Sequence, residues 1–543
     1  MMKYLFFDTE TTGLSIHHGH RPFLYIWSTD GLQIHCSKDK EDIRPYLEDE
    51  EYIKVAHNAK FDILMMHSVG ISVKGKVYDT MIMSQLVDEN TPNSLDASAK
   101  QHLRTILKSD KIKEYFKEQK TLKKDQCYAD VPDDIIVPYA RKDVEVTARL
   151  FYELKTKLED EALWQLFESE CELIKVLVDM ELKGMKIDVP YFSTEIAHIK
   201  PEIDNLEKEI YRLAGKEFNI RSPKQLAEVI SSFGIELKKT QKGNPKTDVE
   251  ELKQMNHPLP KAILKYREAY KFYKTYFIGL LDSHVAGVIH CKLNQCGTVT
   301  GRFSSSNPNL QNLHKEDTRV RRGFICRENY TNFYIDYEQM EYRVFAAYAN
   351  DPYLISQISA GLDFHQIIAD ELDIPRKNAK TLNFGLIYGM GTHSLAKQLG
   401  IRIYQAERYK QKYFDRFENV FPFLNRVHQT ISERGFVFNM FNRRRRMNKS
   451  EAYKAVNALI QGCCADIVKK TMVKVYNYLK PYRSNLILQV HDELVIEVHK
   501  EEIFVVPHIK DIMENWGHLV KVPLTVDVNY TETNWADKKE WGK

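Results

Sequence analysis

Leu486-Ile487-Leu488-Gln489-Val490-His491-Asp492-Glu493-Leu494-Val495-Ile496-Glu497-Val498 reads as two apolar strand-like runs joined by a polar tip. Two such runs around a short break form a β-hairpin, and this one carries an acidic tip, His491-Asp492-Glu493. A carboxylate at a hairpin tip is by itself an ordinary turn residue. Asp336 gives it company, because it ends another apolar strand, Asn332-Phe333-Tyr334-Ile335. Between the two acids lies Arg376-Lys377-Asn378-Ala379-Lys380-Thr381-Leu382-Asn383-Phe384-Gly385-Leu386-Ile387-Tyr388-Gly389. At helical spacing Arg376, Lys380, Phe384 and Tyr388 fall on one stripe, cationic at one end and aromatic at the other. That stripe suits a nucleoside triphosphate, with phosphates toward Arg376 and Lys380 and base and sugar against Phe384. It equally describes an amphipathic helix with a solvated end and a buried end.

Working outward, strands also return near residue 281, and a helical region at about 351–430 carries Lys and Arg on one face. Residues 191–280 are charged, helical and Lys-rich, with Tyr and Phe interleaved from Lys265-Tyr266-Arg267 to Tyr276-Phe277. Two readings fit: a solvated helical face, or cations that meet phosphates while the aromatics pack. Ala162 to Met180 has helical spacing, closed by Lys183-Gly184-Met185 with a glycine of C′ type. From 1 to about 160, apolar runs such as Tyr4–Phe7 and Tyr52–Ala56 alternate with helical stretches, the pattern of an α/β domain. Its first strand ends in Asp8-Thr9-Glu10, and alternation puts both carboxylates on one face, where they repel unless a cation sits between them. Asn58-Ala59-Lys60-Phe61-Asp62 follows an apolar strand, and Tyr139-Ala140-Arg141-Lys142-Asp143 opens a helix with Tyr139 and Asp143 one turn apart. If the fold brings these together, four carboxylates and a tyrosine make an oxygen-rich site for two hard divalent ions.

Composition bounds the rest. The 543 residues suggest three or four domains, and 43% hydrophobic with 28% charged is the balance of a globular protein rather than a disordered scaffold. The net charge of +3 does not announce a nucleic-acid partner, so any basic surface is local. The 8 cysteines form no CxxC pair, which argues against a structural zinc site or a disulfide framework and for a reducing compartment. No apolar run approaches a membrane span, and Met1-Met2-Lys3 leads straight into a strand without a signal or transit peptide, so a cytoplasmic enzyme is expected.

The N-terminal set resembles the DEDDy-type proofreading 3′→5′ exonucleases, a likeness that extends to Thr11-Thr12-Gly13-Leu14 and Ser94-Leu95-Asp96. The resemblance implies that Asp8, Glu10, Asp62 and Asp143 hold two metals and that Tyr139 orients the attacking water. The C-terminal motifs are similar to those of the family-A DNA polymerases, in family order. They are Thr300-Gly301-Arg302-Phe303-Ser304 with Asn309-Leu310-Gln311-Asn312, then Asp336-Tyr337-Glu338-Gln339-Met340-Glu341-Tyr342-Arg343, the stripe, Gln461-Gly462, and His491-Asp492-Glu493. The implied architecture is multidomain α/β and α+β: an RNase H-like exonuclease domain (1–160), a palm entry helix (161–190) and a thumb (191–280). Palm follows at 281–350, fingers at 351–430 with the nucleotide helix at 376–390, and palm again at 431–543. No 5′-nuclease domain is expected ahead of it, and the compact form leans toward a phage source.

Carried over residue by residue, Asp336, Asp492 and the Tyr337 main chain would hold two Mg²⁺ ions, for which Mn²⁺ can substitute. Arg376, Lys380 and His365 would bind the triphosphate, Phe384 and Glu341 would face its sugar, and Tyr388 would lie beside the template base. Arg302, Gln461, His491 and Asn457 would touch primer-template DNA, on the minor-groove side where acceptors are similar for every pair. Three departures stand out: Glu338 where relatives carry Ser, Tyr453 where many carry Arg, and the run Arg443-Arg444-Arg445-Arg446, readable as a solvated loop or a DNA-backbone contact. The segment between Asp188 and Tyr266 is short, so no thioredoxin-type processivity subunit is expected, and the enzyme should be a monomer. The expectation is a template-dependent DNA polymerase using dNTPs, with 3′→5′ proofreading, in DNA replication. A single-subunit RNA polymerase would share the palm but not the exonuclease motifs or Glu341. A non-catalytic accessory protein would be expected to have lost a carboxylate, and none is missing.

Overall fold

The computed structural model describes residues 2–106, 111–240, 243–313, 318–387 and 389–542. Tyr388, expected beside the template base, lies outside the described residues.

The N-terminal part is built on a five-stranded mixed sheet with strand order β3-β2-β1-β4-β5. Its strands are β1 (Lys3–Thr11), β2 (Pro22–Ser28), β3 (His35–Ser37), β4 (Tyr52–Ala56) and β5 (Val77–Asp79). The central β1 pairs antiparallel with β2 and parallel with β4. Leu5, Phe6 and Phe7 are all fully buried, as a strand covered on both faces requires. The register slips between Glu10 and Thr11, so the chain leaves the sheet just after its acidic pair. The helix bearing Tyr139 and Asp143 runs Asp133–Asp160 and therefore begins six residues earlier than the sequence reading placed it. Asp133 and Asp134 sit in its first turn, where the helix dipole favours carboxylates. Pro138 within it forfeits one intrahelical bond without ending the helix.

The next helix, Trp164–Lys183, closes on Gly184, whose φ is +58°. A Cβ there would stand 2.5 Å from the Ile289 carbonyl oxygen, so both backbone and space require glycine. Helices Val189–Ala214, Pro223–Ser232 and Pro258–Phe272 build the segment after it. Tyr266, Tyr273, Tyr276 and Phe277 are buried while Lys261, Lys265, Lys271 and Lys274 are exposed. The aromatics of the interleaved stretch thus pack inward, and its lysines face outward.

A second, wholly antiparallel sheet carries the C-terminal acids. Its strands lie in the order Asn485–Val490, Glu493–His499, Tyr330–Tyr337, Val526–Thr531 and Lys539–Glu540. The hairpin turn has two residues, His491 and Asp492, with His491 at φ +57°. Glu493 is the first residue of the returning strand rather than part of the tip. Alternation splits the sheet between two cores. Phe333, Ile335, Leu494 and Ile496 join the core that includes helix Ala455–Leu479, whereas Tyr334, Val495 and Leu488 join the core of the 189–283 helices.

The Arg443–Arg446 run is not a solvated loop. Arg443 is buried against Asp466 (2.6 Å) and Glu170. Arg444 and Arg446 reach Glu161 (2.8 and 2.6 Å), and Arg445 and Arg446 reach Glu89 (3.0 and 2.9 Å). The run ties the C-terminal part to the N-terminal domain and to the helix that follows it. Among the described residues, no helix is long and apolar enough to cross a membrane.

Candidate active sites

The first site forms where β1 ends. One ligand oxygen each from Asp8, Glu10 and Asp143 lies within 4.8 Å of the others. Period-two alternation supplies the first two and the long helix supplies the third, with Tyr139 one turn before it on the same helix. Asp62 stands beside them, almost fully buried, accepting hydrogen bonds from the Thr9 N–H (3.2 Å) and the Thr9 hydroxyl (2.7 Å). Asp79, which the sequence reading did not single out, accepts from the Asn58 and Ala59 N–H groups (both 2.9 Å). It thereby fixes the left-handed Asn58 (φ +68°) that turns the chain from β4 into the helix of Asp62.

Burial raises the Asp8 carboxyl to about 7 and that of Asp143, which Asp8 also pushes up, to about 8. Glu10 is held well above the usual range by burial and by Asp8, Asp143 and Asp62. Asp62 is raised well above it by burial and by Asp8. Four carboxyls, Glu10 and Asp62 buried and Asp8 and Asp143 half-buried, all held above the usual range, are a hard-oxygen donor set short of positive charge, and they fit divalent cations. A testable consequence follows from linkage. A carboxyl whose folded pKa exceeds its unfolded value, 3.8 for aspartate, stabilises the fold fully below that value. The contribution is lost as pH rises through about 7 and 8, the folded values of Asp8 and Asp143. With chelator present, the thermal midpoint should therefore fall between pH 5 and pH 8. Mg²⁺ at pH 8 should restore it, and Asp8→Asn should flatten the profile. A chelated protein equally stable at both pH values would show that these carboxyls ionise normally.

The second site is a cleft of about 390 Å³ over the C-terminal sheet, lined in part by Asp336, Glu341, His491, Asp492 and Asp527. Asp336 pairs across the ladder with Glu493 on one side and Asp527 on the other, so all three project from the same face. Asp492 arrives from the turn, its carbonyl accepting the Tyr337 N–H at 3.3 Å. Glu493 is paired with Lys538 at 2.8 Å. Glu338 accepts from the Thr525 hydroxyl at 2.6 Å and does not line the cleft. The fold thus adds Asp527 to the expected acids and turns Glu338 away.

The stripe is helical over Arg376–Ile387, with Arg376 and Lys380 exposed and Phe384 half-buried. Arg376 donates two hydrogen bonds to Asp363 (3.1 and 2.8 Å), and the Lys380 ammonium lies 5.9 Å from the Phe384 ring. His365 lies beneath the stripe rather than on it. It is buried, edge-on to Tyr342, within 3.0 Å of the Asn383 amide, and burial lowers its pKa to about 4. A neutral imidazole contributes no charge to a triphosphate at pH 7. Arg302 is bonded to Glu341, and both are partly buried. Gln461 and Asn457 lie half-buried on the helix Ala455–Leu479, and His491 is exposed at the turn.

Residues 190–537 match the family described as DNA polymerase family A, and residues 1–159 match a 3′-5′ exonuclease family. The chain belongs to DNA polymerase family A, with an exonuclease domain preceding the polymerase domain. It is similar to DNA polymerase I of Pseudomonas aeruginosa, at 35% identity over 98% of this chain and 63% of the relative. It also resembles DNA polymerase I of Geobacillus stearothermophilus (34%, covering 91% of this chain and 59% of the relative). The chain spans about 60% of the length of the curated relatives it matches. Among solved structures, the polymerase domain of Pol1 from M. smegmatis, in complex with DNA primer-template and dNTP, superposes with a TM-score of 0.84. It is 26% identical, with 98% of this chain and 96% of that one covered.

Proposed function

We propose that this chain copies DNA: it adds dNTPs to a primer 3′ end directed by a template, and its N-terminal domain removes mispaired 3′ nucleotides. The observation that carries the reading is that two separate acidic sites, on two different sheets, coexist in one chain of this family. The N-terminal domain is the exonuclease (1–160). The C-terminal sheet is the palm, the 351–430 helices are the fingers, and the 191–280 helices are the thumb.

When bound, two Mg²⁺ ions at each site supply charge neutralisation and activation of the attacking oxygen. Asp336 and Asp492 hold them in the palm; Asp8, Glu10, Asp62 and Asp143 hold them in the exonuclease. Tyr139, one helical turn from Asp143, positions the attacking water. Arg376 and Lys380 meet the phosphates, and for Arg376 this means exchanging Asp363 for the incoming nucleotide. Arg302, Gln461 and His491 check the shape of the terminal pair, with Asn457 beside them.

A labelled hairpin primer tests the proposal directly. Growth with dNTPs and Mg²⁺, and shortening without dNTPs, are the expected results. A protein that bound the hairpin but left its length unchanged under both conditions would overturn it in favour of a non-catalytic DNA-binding role.

A further inference from the structure

Arg302 is carried by a tight loop that begins at Cys296. The Thr298 hydroxyl closes this loop by donating to the Arg302 carbonyl at 2.7 Å. Two side chains of the N-terminal domain grip it. The Gln85 amide donates to the Thr298 carbonyl at 3.2 Å, and the Asn93 amide lies 3.4 Å from the Cys296 carbonyl. Asn93 also donates to the Gln85 side-chain oxygen at 3.0 Å, which fixes the orientation of both amides. His57 in turn lies 3.0 Å from the Asn93 carbonyl.

The opposite wall of the loop is an arginine. Gly301, at φ +83°, lies against Arg443 so closely that a Cβ would stand 2.7 Å from its Nε. Arg443 is itself fixed by Asp466 and Glu170, and Glu170 by Lys469 at 2.8 Å. Burial would raise the Glu170 carboxyl, but Lys469 and Arg443 outweigh it and hold it near 2, so the network stays ionised. Two residues further along, Arg445 is bonded to Glu89 at 3.0 Å, and Asn90 donates to the Arg446 carbonyl at 3.2 Å. One short stretch of the N-terminal domain, Gln85 to Asn93, therefore grips the loop that presents Arg302 directly and also holds the Arg444–Arg446 strand that follows its opposite wall, Arg443. None of these residues belongs to the exonuclease acids.

We propose that Gln85 and Asn93 are positioning residues for the polymerase reaction, acting through the Cys296–Arg302 loop on Arg302. The proofreading domain is in this sense part of the polymerase site. The inference rests on the reading that Arg302 contacts the primer terminus. Small misplacements of a group that orients reactants are costly, whereas binding of DNA and nucleotide depends on many other contacts.

The test uses the full chain with Asp8→Ala and Glu10→Ala, so that degradation does not obscure extension. In this background Gln85→Leu and Asn93→Ala should each slow single-nucleotide addition to a matched primer about tenfold, with the KM for dNTP and the DNA affinity changed less than about twofold. Arg302→Ala should slow it at least as much, and adding Gln85→Leu to Arg302→Ala should cost nothing further. If Arg302→Ala slows addition but Gln85→Leu does not, or if the two losses multiply, the positioning role is wrong while the reading of Arg302 stands. If Arg302→Ala itself has no effect, it is the reading of Arg302 that fails. Asn93→Ala provides the second variant should Gln85→Leu unfold.

Discussion

Asp492→Ala is expected to abolish primer extension while leaving 3′ degradation of single strands intact, and Asp8→Ala with Glu10→Ala is expected to do the reverse. The two sets of acids belong to different sheets with separate cores, so a substitution in one leaves the other's geometry in place. In the C-terminal sheet, Asp336 comes from the middle strand and Asp492 from a two-residue turn. Removing either carboxylate loses charge stabilisation and positioning together. Loss of one oxyanion donor already costs ~10²–10³ in rate, so a defect of at least that size is expected. In the exonuclease, Asp8 and Glu10 provide two of three clustered ligand oxygens. Removing them also relieves repulsion among clustered, poorly solvated carboxyls, so these variants should be at least as stable as the parent without metal. The measurement is a pair of rates for each variant, extension of a primed template and shortening of a labelled single strand. Asp492→Ala extending at a near-normal rate would show that the palm has been misassigned.

Much of this arrangement was legible in the sequence, and what was not has a common cause. The hairpin, the Asp8-Thr9-Glu10 strand end and the cation–aromatic stripe all rest on local periodicity, and the structure forms the first two and the stripe from Arg376 to Phe384. Asp527 was missed although Val526-Asp527-Val528-Asn529 alternates as a strand should, because its pairing with Asp336 spans almost two hundred residues. The arginine run was read by its own charge density. Its partners, Glu89, Glu161, Glu170 and Asp466, are scattered along the chain and become neighbours only in the fold. His365 is expected at the triphosphate through the family resemblance alone, and its burial beside Tyr342 and Asn383 is a tertiary property that spacing does not encode. Local pattern finds elements and strand-end acids; it does not find which distant charges neutralise one another.

Sugar selection gives the other large expected effect, and the structure sharpens how to measure it. Glu341 lines the cleft with Asp336 and Asp492, and Phe384 lies on the facing helix with its ring 5.6 Å from Tyr342 and steeply inclined to it. A ribonucleotide 2′-OH would press against the Glu341 side chain, so wild-type enzyme should reject rNTPs by sterics. Phe384 is apolar and cannot replace the hydrogen bond a normal 3′-OH makes within its own nucleotide, so ddNTPs should be incorporated poorly. Phe384→Tyr supplies a hydroxyl there and should raise ddNTP use strongly, since a site built around one polar contact can reject its absence by up to ~10⁴. Glu341→Ala should raise rNTP use, but Glu341 also holds Arg302, so this variant should slow ordinary dNTP addition as well. Glu341→Gln separates the two roles. It keeps the bulk that excludes the 2′-OH and removes the charge that holds Arg302, so rNTP rejection should persist while dNTP addition slows. Single-nucleotide incorporation kinetics for dNTP, rNTP and ddNTP on one template decide among these outcomes. Wild-type enzyme accepting ddNTP as readily as dNTP would mean that Phe384 does not face the sugar and that the nucleotide helix is turned differently toward the palm.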